Sequence, residues 1–241
     1  MTRFAFPPFP QTAVPIAGAD LAFPVRRVLC VGRNYAAHRR EMGGDERDPP
    51  FFFAKPADAL SPGGCAIPYP SATAELHHEI ELVIAIGGAG ESLSPDAGAR
   101  LIYGYAVGVD LTRRDLQSQA KAKGQPWEAG KGFDCSAPIS PIRRGPAPAP
   151  EARIWLAVNG EVRQEGRIGD MIWNAAEIVA QASALWSLAP GDLIFTGTPE
   201  GVGPLVRADQ VTGGVDGVGA LEFTISGAGA RADAPRAVGA A

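Results

Sequence analysis

Short apolar runs recur along this chain and are separated by clusters of glycine, proline and polar residues. Runs of this length that are rich in valine, isoleucine and phenylalanine predict β-strands. On this basis we assign strands to residues 26–31, 51–54, 78–86, 104–111, 193–196 and 220–226. Asn159 and Gly160 stand between two further runs, 154–158 and 161–164, and this dipeptide predicts a β-hairpin.

Helical patterns are fewer than strand patterns. Residues 172–188 carry apolar side chains at helical spacing and predict the longest helix, and shorter helices are predicted for 35–42 and 112–123. Ser94 followed by Pro95 predicts one more, because serine caps a helix and proline fits its first turn. Many short strands, few helices and 30 glycines predict an α+β fold, a strand-dominated mixed roll, rather than a dinucleotide-binding alternation of strand and helix.

The composition narrows the function classes. A chain of 241 residues that is 46% hydrophobic and 20% charged can bury a sizeable core within one domain. A net charge of -4 with scattered Lys and Arg residues argues against nucleic-acid binding. Because no apolar run approaches the roughly 18 residues of a membrane span and no signal-peptide pattern is present, we expect no membrane association and a cytoplasmic location. Three widely spaced cysteines indicate reduced, packed thiols.

The two ends of the chain differ from its middle. Residues 1–24 are rich in proline and predict an extended arm that lies on the body of the protein. Residues 25–226 hold the other predicted elements and form the expected single domain. Residues 227–241 offer little to bury and predict a disordered tail.

Glu79 and Glu81 stand two positions apart in an otherwise apolar strand pattern. Because alternate side chains leave a strand on the same face, the two carboxylates are predicted to lie side by side. Like charges this close repel each other unless a cation lies between them, which indicates a divalent metal site. Oxygen ligands favour Mg2+, Mn2+ or Ca2+ over Zn2+, although His77 shares the same face. The alternative is an edge strand whose glutamate face is solvated, and this segment alone does not choose between the two.

Asp110 ends another apolar strand pattern and is the best candidate for a third ligand. Three carboxylates and water would give Mg2+ an octahedral site with positions open to substrate oxygens. The competing interpretation is that Asp110 caps the helix that begins at Thr112.

His38 and Glu41 lie three residues apart in the predicted helix 35–42 and therefore share a face. A carboxylate that orients an imidazole makes it a general base near neutral pH, although a solvated surface pair has the same pattern. Lys131 lies between two glycines and could stabilise an oxyanion, or be an ordinary loop lysine. The glycine-rich stretch 196–203 follows a strand and can present N–H groups and hydroxyls to an anion, but it is not a Walker motif.

In chain order these motifs resemble the fumarylacetoacetate hydrolase family. The resemblance extends over residues 26–226 and is closest to the single-domain acylpyruvate hydrolases, in particular the bacterial fumarylpyruvate hydrolases. The motifs that carry it are Val-Gly-Arg-Asn-Tyr-Ala at 31–36 with His38 and Glu41, Lys55-Pro56, His-His-Glu-Ile-Glu at 77–81, Asp-Leu-Thr-Arg-Arg-Asp at 110–115, Lys131-Gly132-Phe133, and Thr-Gly-Thr-Pro-Glu-Gly-Val-Gly at 196–203.

The resemblance implies a strand-rich mixed roll, usually a homodimer, that holds Mg2+ or Mn2+ on Glu79, Glu81 and Asp110, with Ca2+ able to take their place in crystals. It also implies that His38 and Glu41 activate water and that Lys131 meets the oxyanion. Further substrate contacts that it implies are Lys55, Arg114, Gln117 and Thr198.

The implied reaction is hydrolysis of a small-molecule 2,4-dioxo acid at a carbon–carbon bond, and most specifically of fumarylpyruvate to fumarate and pyruvate in gentisate-type aromatic catabolism. Water that His38 deprotonates would attack the far carbonyl, and pyruvate would leave. The distal carboxylate would meet one of three arginines, unless all of them are solvated: Arg39, Arg40 and Arg47. The alternatives are oxaloacetate decarboxylation, isomerisation of a ring-cleavage product and, more remotely, a non-catalytic binding module that a metal stabilises.

Overall fold

The computed structural model describes residues 3–35 and 48–227. The strands in the first half of this region are β1 (Ala13–Pro15), β2 (Ala22–Pro24), β3 (Arg27–Gly32), β4 (Phe51–Lys55), β5 (Leu60–Pro62), β6 (Ala66–Pro68), β7 (Leu76–His78), β8 (Ile80–Ile86), β9 (Ile102–Val109) and β10 (Thr112–Arg113). Those in the second half are β11 (Ala137–Ile139), β12 (Arg143–Arg144), β13 (Arg153–Val158), β14 (Glu161–Arg167), β15 (Asp192–Phe195), β16 (Gly203–Leu205), β17 (Gln210–Val215) and β18 (Gly219–Ser226).

The helices are short. They are α1 (Pro95–Ala99), α2 (Arg114–Lys123), α3 (Glu128–Lys131) and α4 (Ala175–Leu185), and single 3-10 turns are formed by Ala57–Ala59 and Ile168–Asp170. In the described part of the chain no helix combines the length and apolar character that crossing a bilayer requires. The protein is therefore a strand-dominated α+β fold, as predicted.

Two larger sheets form the body of the fold. One has eight strands in the order β4-β3-β15-β8-β9-β11-β5, with β12 added on β9, and the other has the order β14-β13-β17-β18-β6. The main core lies between them and includes Leu82 and Ile84 from the first sheet and Leu156 and Phe223 from the second. Burial of this apolar surface is the largest favourable contribution to folding.

A second core covers the other face of the eight-stranded sheet. Val83 and Phe195 of that sheet contact Val14 and Phe23, which belong to the segment predicted as an arm. Strands β1 and β2 pair there as a small antiparallel sheet. Because both faces are covered, every residue of β8 is buried, which explains why all of its residues except Glu81 are apolar.

Several predicted boundaries move in the structure. The strand predicted for 78–86 is divided at Glu79, because β7 pairs with β10 and β16 in a separate three-stranded sheet whereas β8 pairs with β9 and β15. Thr112 belongs to β10 and does not begin the helix, which starts at Arg114 without a side-chain cap.

The longest helix is shorter than the predicted 172–188, because Asn174 and Glu177 form a capping box that fixes its first turn and the helix ends at Leu185. The predicted hairpin is confirmed, with β13 and β14 joined through Asn159 and Gly160 at φ values of 53° and 82°. The Ser94 cap of α1 is confirmed too. Most of the predicted helix 35–42 and nearly all of the predicted tail lie outside the described residues.

Candidate metal centre

The register of β8 against β9 brings the two parts of the acidic site together. Ile80 pairs with Val109, so Glu79 and Asp110 come next to each other at the end of the ladder, and the Asp110 N–H donates to the Glu79 carbonyl at 2.8 Å. Glu81 is the second residue of β8. One oxygen of each carboxylate lies within 4.8 Å of the others, and all three residues are buried. The predicted trio is therefore assembled in space.

Three cations surround two of these carboxylates. Lys131 Nζ lies 2.8 Å from Glu79 Oε2 and 2.6 Å from Asp110 Oδ2, and Arg114 pairs with the other oxygen of Glu79. Lys55 Nζ lies 2.8 Å from Asp110 Oδ1. Burial alone would raise the pKa of Glu79, but Lys131 and Arg114 lower it to about 2. Burial would likewise lower the pKa of Lys131, but Asp110 and Glu79 raise it above its ordinary value.

Glu81 is the carboxylate without a cation. Among the described residues it forms no ion pair, and its Oε2 accepts a hydrogen bond from the Gly197 N–H at 2.7 Å. Burial, followed by the charges of Asp110 and Glu79, raises the pKa of Glu81 well above its ordinary value. Gly197 has φ +92° and a β-carbon there would lie 2.8 Å from Asn34, so only glycine fits at this contact.

These features test whether a divalent cation fits the site. The three Nζ–H hydrogen bonds of Lys55 go to Leu111 O, Lys131 O and Ser136 Oγ, so Asp110 Oδ1 lies within ion-pair distance of Lys55 but accepts no hydrogen bond from a described residue. Asp110 Oδ1 therefore has unused acceptor capacity, and Glu81, which is buried without a cation, indicates missing positive charge. The donor set is oxygen only, which suits Mg2+ or Mn2+. These residues therefore fit a divalent metal ion.

A cavity of about 330 Å³ opens over Glu79 and Glu81, whereas Asp110 does not line it. Glu79, Glu81 and Lys131 form its floor. Its walls are contributed by Arg33, Phe51, Phe53, His77, Arg114, Gln117, Lys121, Trp127, Thr198 and Val202, among other residues. Burial and the neighbouring Arg114 lower the pKa of His77 to about 4, so this ring is neutral at physiological pH. The cavity thus joins a carboxylate floor to walls that contain basic and aromatic side chains.

Thr198 is held from behind by a buried amide. Gln164 Nε2 donates to Thr198 Oγ1 at 2.8 Å and to the Pro199 carbonyl at 3.0 Å. Because Thr198 Oγ1 accepts this bond, its own O–H stays available to donate into the cavity. The amide oxygen of Gln164 accepts from the Ile80 N–H at 3.0 Å and lies 2.9 Å from His78 Nδ1, which must therefore carry the ring proton.

The predicted site residues occupy different positions around the cavity. Lys131 ends helix α3 with a buried side chain and is not an open loop lysine, and its Nζ also donates to Thr112 Oγ1 at 2.7 Å. Arg114 and Gln117 line the cavity from α2 and share a hydrogen bond of 2.6 Å. Lys55 is buried behind Asp110 and does not line the cavity, so it is placed to hold Asp110 rather than to touch a substrate.

His38 and Glu41 lie outside the described residues, as do Arg39, Arg40 and Arg47. Three residues that line or support the site were not predicted from the sequence, namely Arg33, Lys121 and Gln164. Arg33 lies within the motif at 31–36 and Lys121 within the predicted helix 112–123. Gln164 carries no local signal, because it comes from a hairpin of the other sheet.

Comparison with known proteins agrees with this geometry. The C-terminal domain of fumarylacetoacetate (FAA) hydrolase matches residues 27–226. The crystal structure of a fumarylpyruvate hydrolase from Pseudomonas aeruginosa in complex with Mn2+ and pyruvate is 49% identical, with a TM-score of 0.89 over 93% of this chain and 99% of that chain. An oxaloacetate tautomerase from Escherichia coli K12 is 41% identical over 203 residues, which are 83% of this chain and 93% of that protein. A mitochondrial oxaloacetate tautomerase from Mus musculus is 41% identical over 202 residues, or 83% and 91% of the two chains. On its sequence and its fold, this chain belongs to the fumarylacetoacetate hydrolase family.

Proposed function

We propose that this protein is a Mg2+- or Mn2+-dependent enzyme that hydrolyses acylpyruvates, with fumarylpyruvate as the main substrate and fumarate and pyruvate as products. The observation that carries the proposal is the buried trio of Glu79, Glu81 and Asp110, in which Glu81 has no cation among the described residues. Glu79 and Glu81 line a cavity sized for a small acid. The fumarylpyruvate hydrolase from P. aeruginosa, whose structure holds Mn2+ and pyruvate, supports both the metal and the substrate class.

The side chains around the trio account for recognition of a pyruvate group. When bound, a divalent cation supplies positive charge that binds the carboxylate and 2-oxo oxygens and stabilises the negative charge that develops as the carbon–carbon bond breaks. Gln117 and Thr198 line the same cavity and can donate hydrogen bonds to a carboxylate. Arg114 has one face on Glu79 and adds positive charge to the wall. These contacts would fix the substrate with its far carbonyl directed to the cavity mouth.

Hydrolysis also requires activated water and a partner for the oxyanion. His38, with Glu41 behind it, is our proposed general base. Lys131 is our proposed oxyanion partner, and it would have to exchange one of its three present acceptors, Glu79, Asp110 or Thr112, for the substrate oxygen. If the carboxylate of Glu79 or Asp110 turned toward the metal, one N–H of Lys131 would lose its present acceptor and could donate to the substrate oxygen.

A second candidate activity is tautomerisation of oxaloacetate. The relatives from E. coli and Mus musculus are named oxaloacetate tautomerases, and each is 41% identical to this chain. Keto–enol exchange needs stabilisation of the same negative charge but no attacking water, so the charge stabilisation that the described residues offer suits either reaction. Oxaloacetate decarboxylation, the alternative from the sequence, uses that charge stabilisation as well.

Product analysis separates these candidates. The purified protein, loaded with Mg2+ or Mn2+, is given fumarylpyruvate, acetylpyruvate and oxaloacetate in turn, and pyruvate release is followed by a coupled lactate dehydrogenase assay. We expect release from fumarylpyruvate at the highest kcat/KM, and loss of that release in Glu81→Gln because a neutral amide is a poorer metal ligand. If neither acylpyruvate yields pyruvate while the enol absorbance of oxaloacetate is lost rapidly, hydrolysis is refuted and the tautomerase activity is established. The homodimer and the cytoplasmic location remain predictions.

A further inference from the structure

Two basic side chains stand at the mouth of the cavity without acidic partners. Arg33 follows β3 and Lys121 lies in the last turn of α2, and both line the cavity above the acidic trio. Neither forms an ion pair within residues 3–35 and 48–227, whereas Arg114 and Lys131, deeper in the same cavity, are both bound to Glu79. The mouth therefore carries positive charge that the described protein does not neutralise.

Each of the two cations lies against an aromatic ring. The Arg33 guanidinium lies 5.9 Å from the ring centre of Phe51, and Lys121 Nζ lies 4.9 Å from that of Trp127. The two rings meet edge to face with their centres 5.2 Å apart, so they form one platform below the two charges. Gly32 allows this arrangement, because a β-carbon there would lie 1.9 Å from the Phe51 ring.

The backbone and the electrostatics of this platform agree with a binding role. Arg33 adopts φ 60°, a conformation that is unfavourable for a residue other than glycine and is concentrated at functional sites. Burial, together with the charges of Arg114 and Arg33, lowers the pKa of Lys121. Arg33 thus disfavours the charged form of Lys121, and an anion placed between the two cations would offset that repulsion.

We infer that Arg33 and Lys121 form an anion subsite for the second carboxylate of a dicarboxylic 2-oxo acid whose first carboxylate and 2-oxo group lie at the acidic trio. The inference rests on the proposed function for the position of the first carboxylate and adds the substrate class that the cavity mouth selects. It predicts selection for an acyl group that ends in a carboxylate, as in fumarylpyruvate, over an uncharged one, as in acetylpyruvate.

Binding of two unreactive probes tests the subsite without turnover. 2-Oxoheptanedioate and 2-oxoheptanoate have the seven-carbon chain of fumarylpyruvate and lack its 4-oxo group, but only the first has a distal carboxylate. With the Mg2+-loaded protein, calorimetry should give a dissociation constant about tenfold lower for 2-oxoheptanedioate, the size expected for charge-assisted hydrogen bonds at a partly exposed site. The double variant Arg33→Gln/Lys121→Gln should bind both probes equally, and Lys121→Arg should keep most of the preference.

A matched control is available on the same helix. Lys123 is exposed and does not line the cavity. Lys123→Gln removes one positive charge, as the single variant Lys121→Gln does, but it should keep the wild-type preference, whereas Lys121→Gln should lower it. Raising the salt concentration should reduce the preference in the wild type, because the subsite is exposed.

The outcomes keep the two proposals apart. If the wild type binds the two probes equally, or if the double variant keeps the wild-type preference, the subsite is refuted whatever the enzyme hydrolyses. If the preference exists and depends on Arg33 and Lys121 while no acylpyruvate is hydrolysed, the subsite stands and only the hydrolase proposal fails. If Lys123→Gln lowers the preference as much as Lys121→Gln does, the effect is one of net charge, and the subsite is refuted.

Discussion

Replacing Gln164 by leucine should destabilise this protein more than any exposed polar substitution. The amide is fully buried and connects two segments of the site, with Ile80 N–H and His78 on its oxygen and Thr198 and Pro199 on its nitrogen. Leucine has a similar volume but can neither donate nor accept. The change therefore removes four hydrogen bonds without opening a large cavity.

The magnitude follows from the groups that lose their partner. Thr198 faces the cavity and can turn to water, but the Ile80 N–H, the His78 ring N–H and the Pro199 carbonyl lose a buried partner. Each such group costs about 1–3 kcal/mol, partly offset because the glutamine amide no longer has to be desolvated. We expect a loss of about 3–5 kcal/mol, a large part of the roughly 5–15 kcal/mol that keeps a domain folded.

Urea denaturation of the metal-free protein measures this loss as a lower midpoint at an unchanged m-value. Gln119→Leu makes the same chemical change on an exposed face of α2 and should stay within about 0.5 kcal/mol of the wild type. A loss below about 1 kcal/mol for Gln164→Leu, similar to that control, would refute the accounting given above. Gln164→Glu keeps the acceptor for Ile80, but its carboxylate would accept a hydrogen bond from the Thr198 O–H, which could then no longer donate into the cavity. Binding of oxalate, which mimics the pyruvate enolate, should therefore weaken as well.

Three further predictions concern the metal and the water. Chelation by EDTA should abolish turnover, and Mg2+ or Mn2+ should restore it. The metal-loaded protein should also melt at a higher temperature than the chelated protein, because Glu81 gains a cation. Full activity after exhaustive chelation would exclude the metal role. Metal affinity should fall as the pH is lowered through the raised pKa of Glu81. Burial and the charges of Asp110 and Glu79 favour the neutral form of Glu81, and its proton must leave before the metal binds. A metal affinity that calorimetry finds to be independent of pH would contradict this. His38→Ala and Glu41→Gln should each lower hydrolysis by about 100-fold or more yet spare oxalate binding, and equal losses of oxalate affinity would indicate that the pair is structural.

The acidic trio was predictable from the sequence, because its geometry follows from local rules. Glu79 and Glu81 share a face through the two-residue period of a strand, and Asp110 follows the strand that pairs with theirs. The sequence did not indicate that Glu79 would leave the ladder. That break depends on which sheet each half of the segment joins, and pairing partners distant in the chain decide it.

The support of the site was not predictable in the same way. Lys55 matched a family motif and was interpreted as a substrate contact, but in the structure its side chain is buried behind Asp110. Burial of a lysine depends on the acceptors that surround its ammonium group. For Lys55 these are the Asp110 carboxylate and the carbonyl oxygens of Leu111 and Lys131. Gln164 was missed for the same reason, since its four partners lie 34 to 86 residues away along the chain.

The position of β15 has a consequence for how the protein is made. This strand, Asp192–Phe195, lies between β3 and β8 in the eight-stranded sheet, and its Asp192 pairs with Arg27. Until it emerges from the ribosome, the facing edges of β3 and β8 have no strand between them and are open to pairing with other chains. Gly197, whose N–H holds Glu81, follows directly after this strand. A nascent chain that stops short of residue 192 therefore lacks both the central strand and the backbone donor of the metal centre. Pairing over so long a separation makes folding slow.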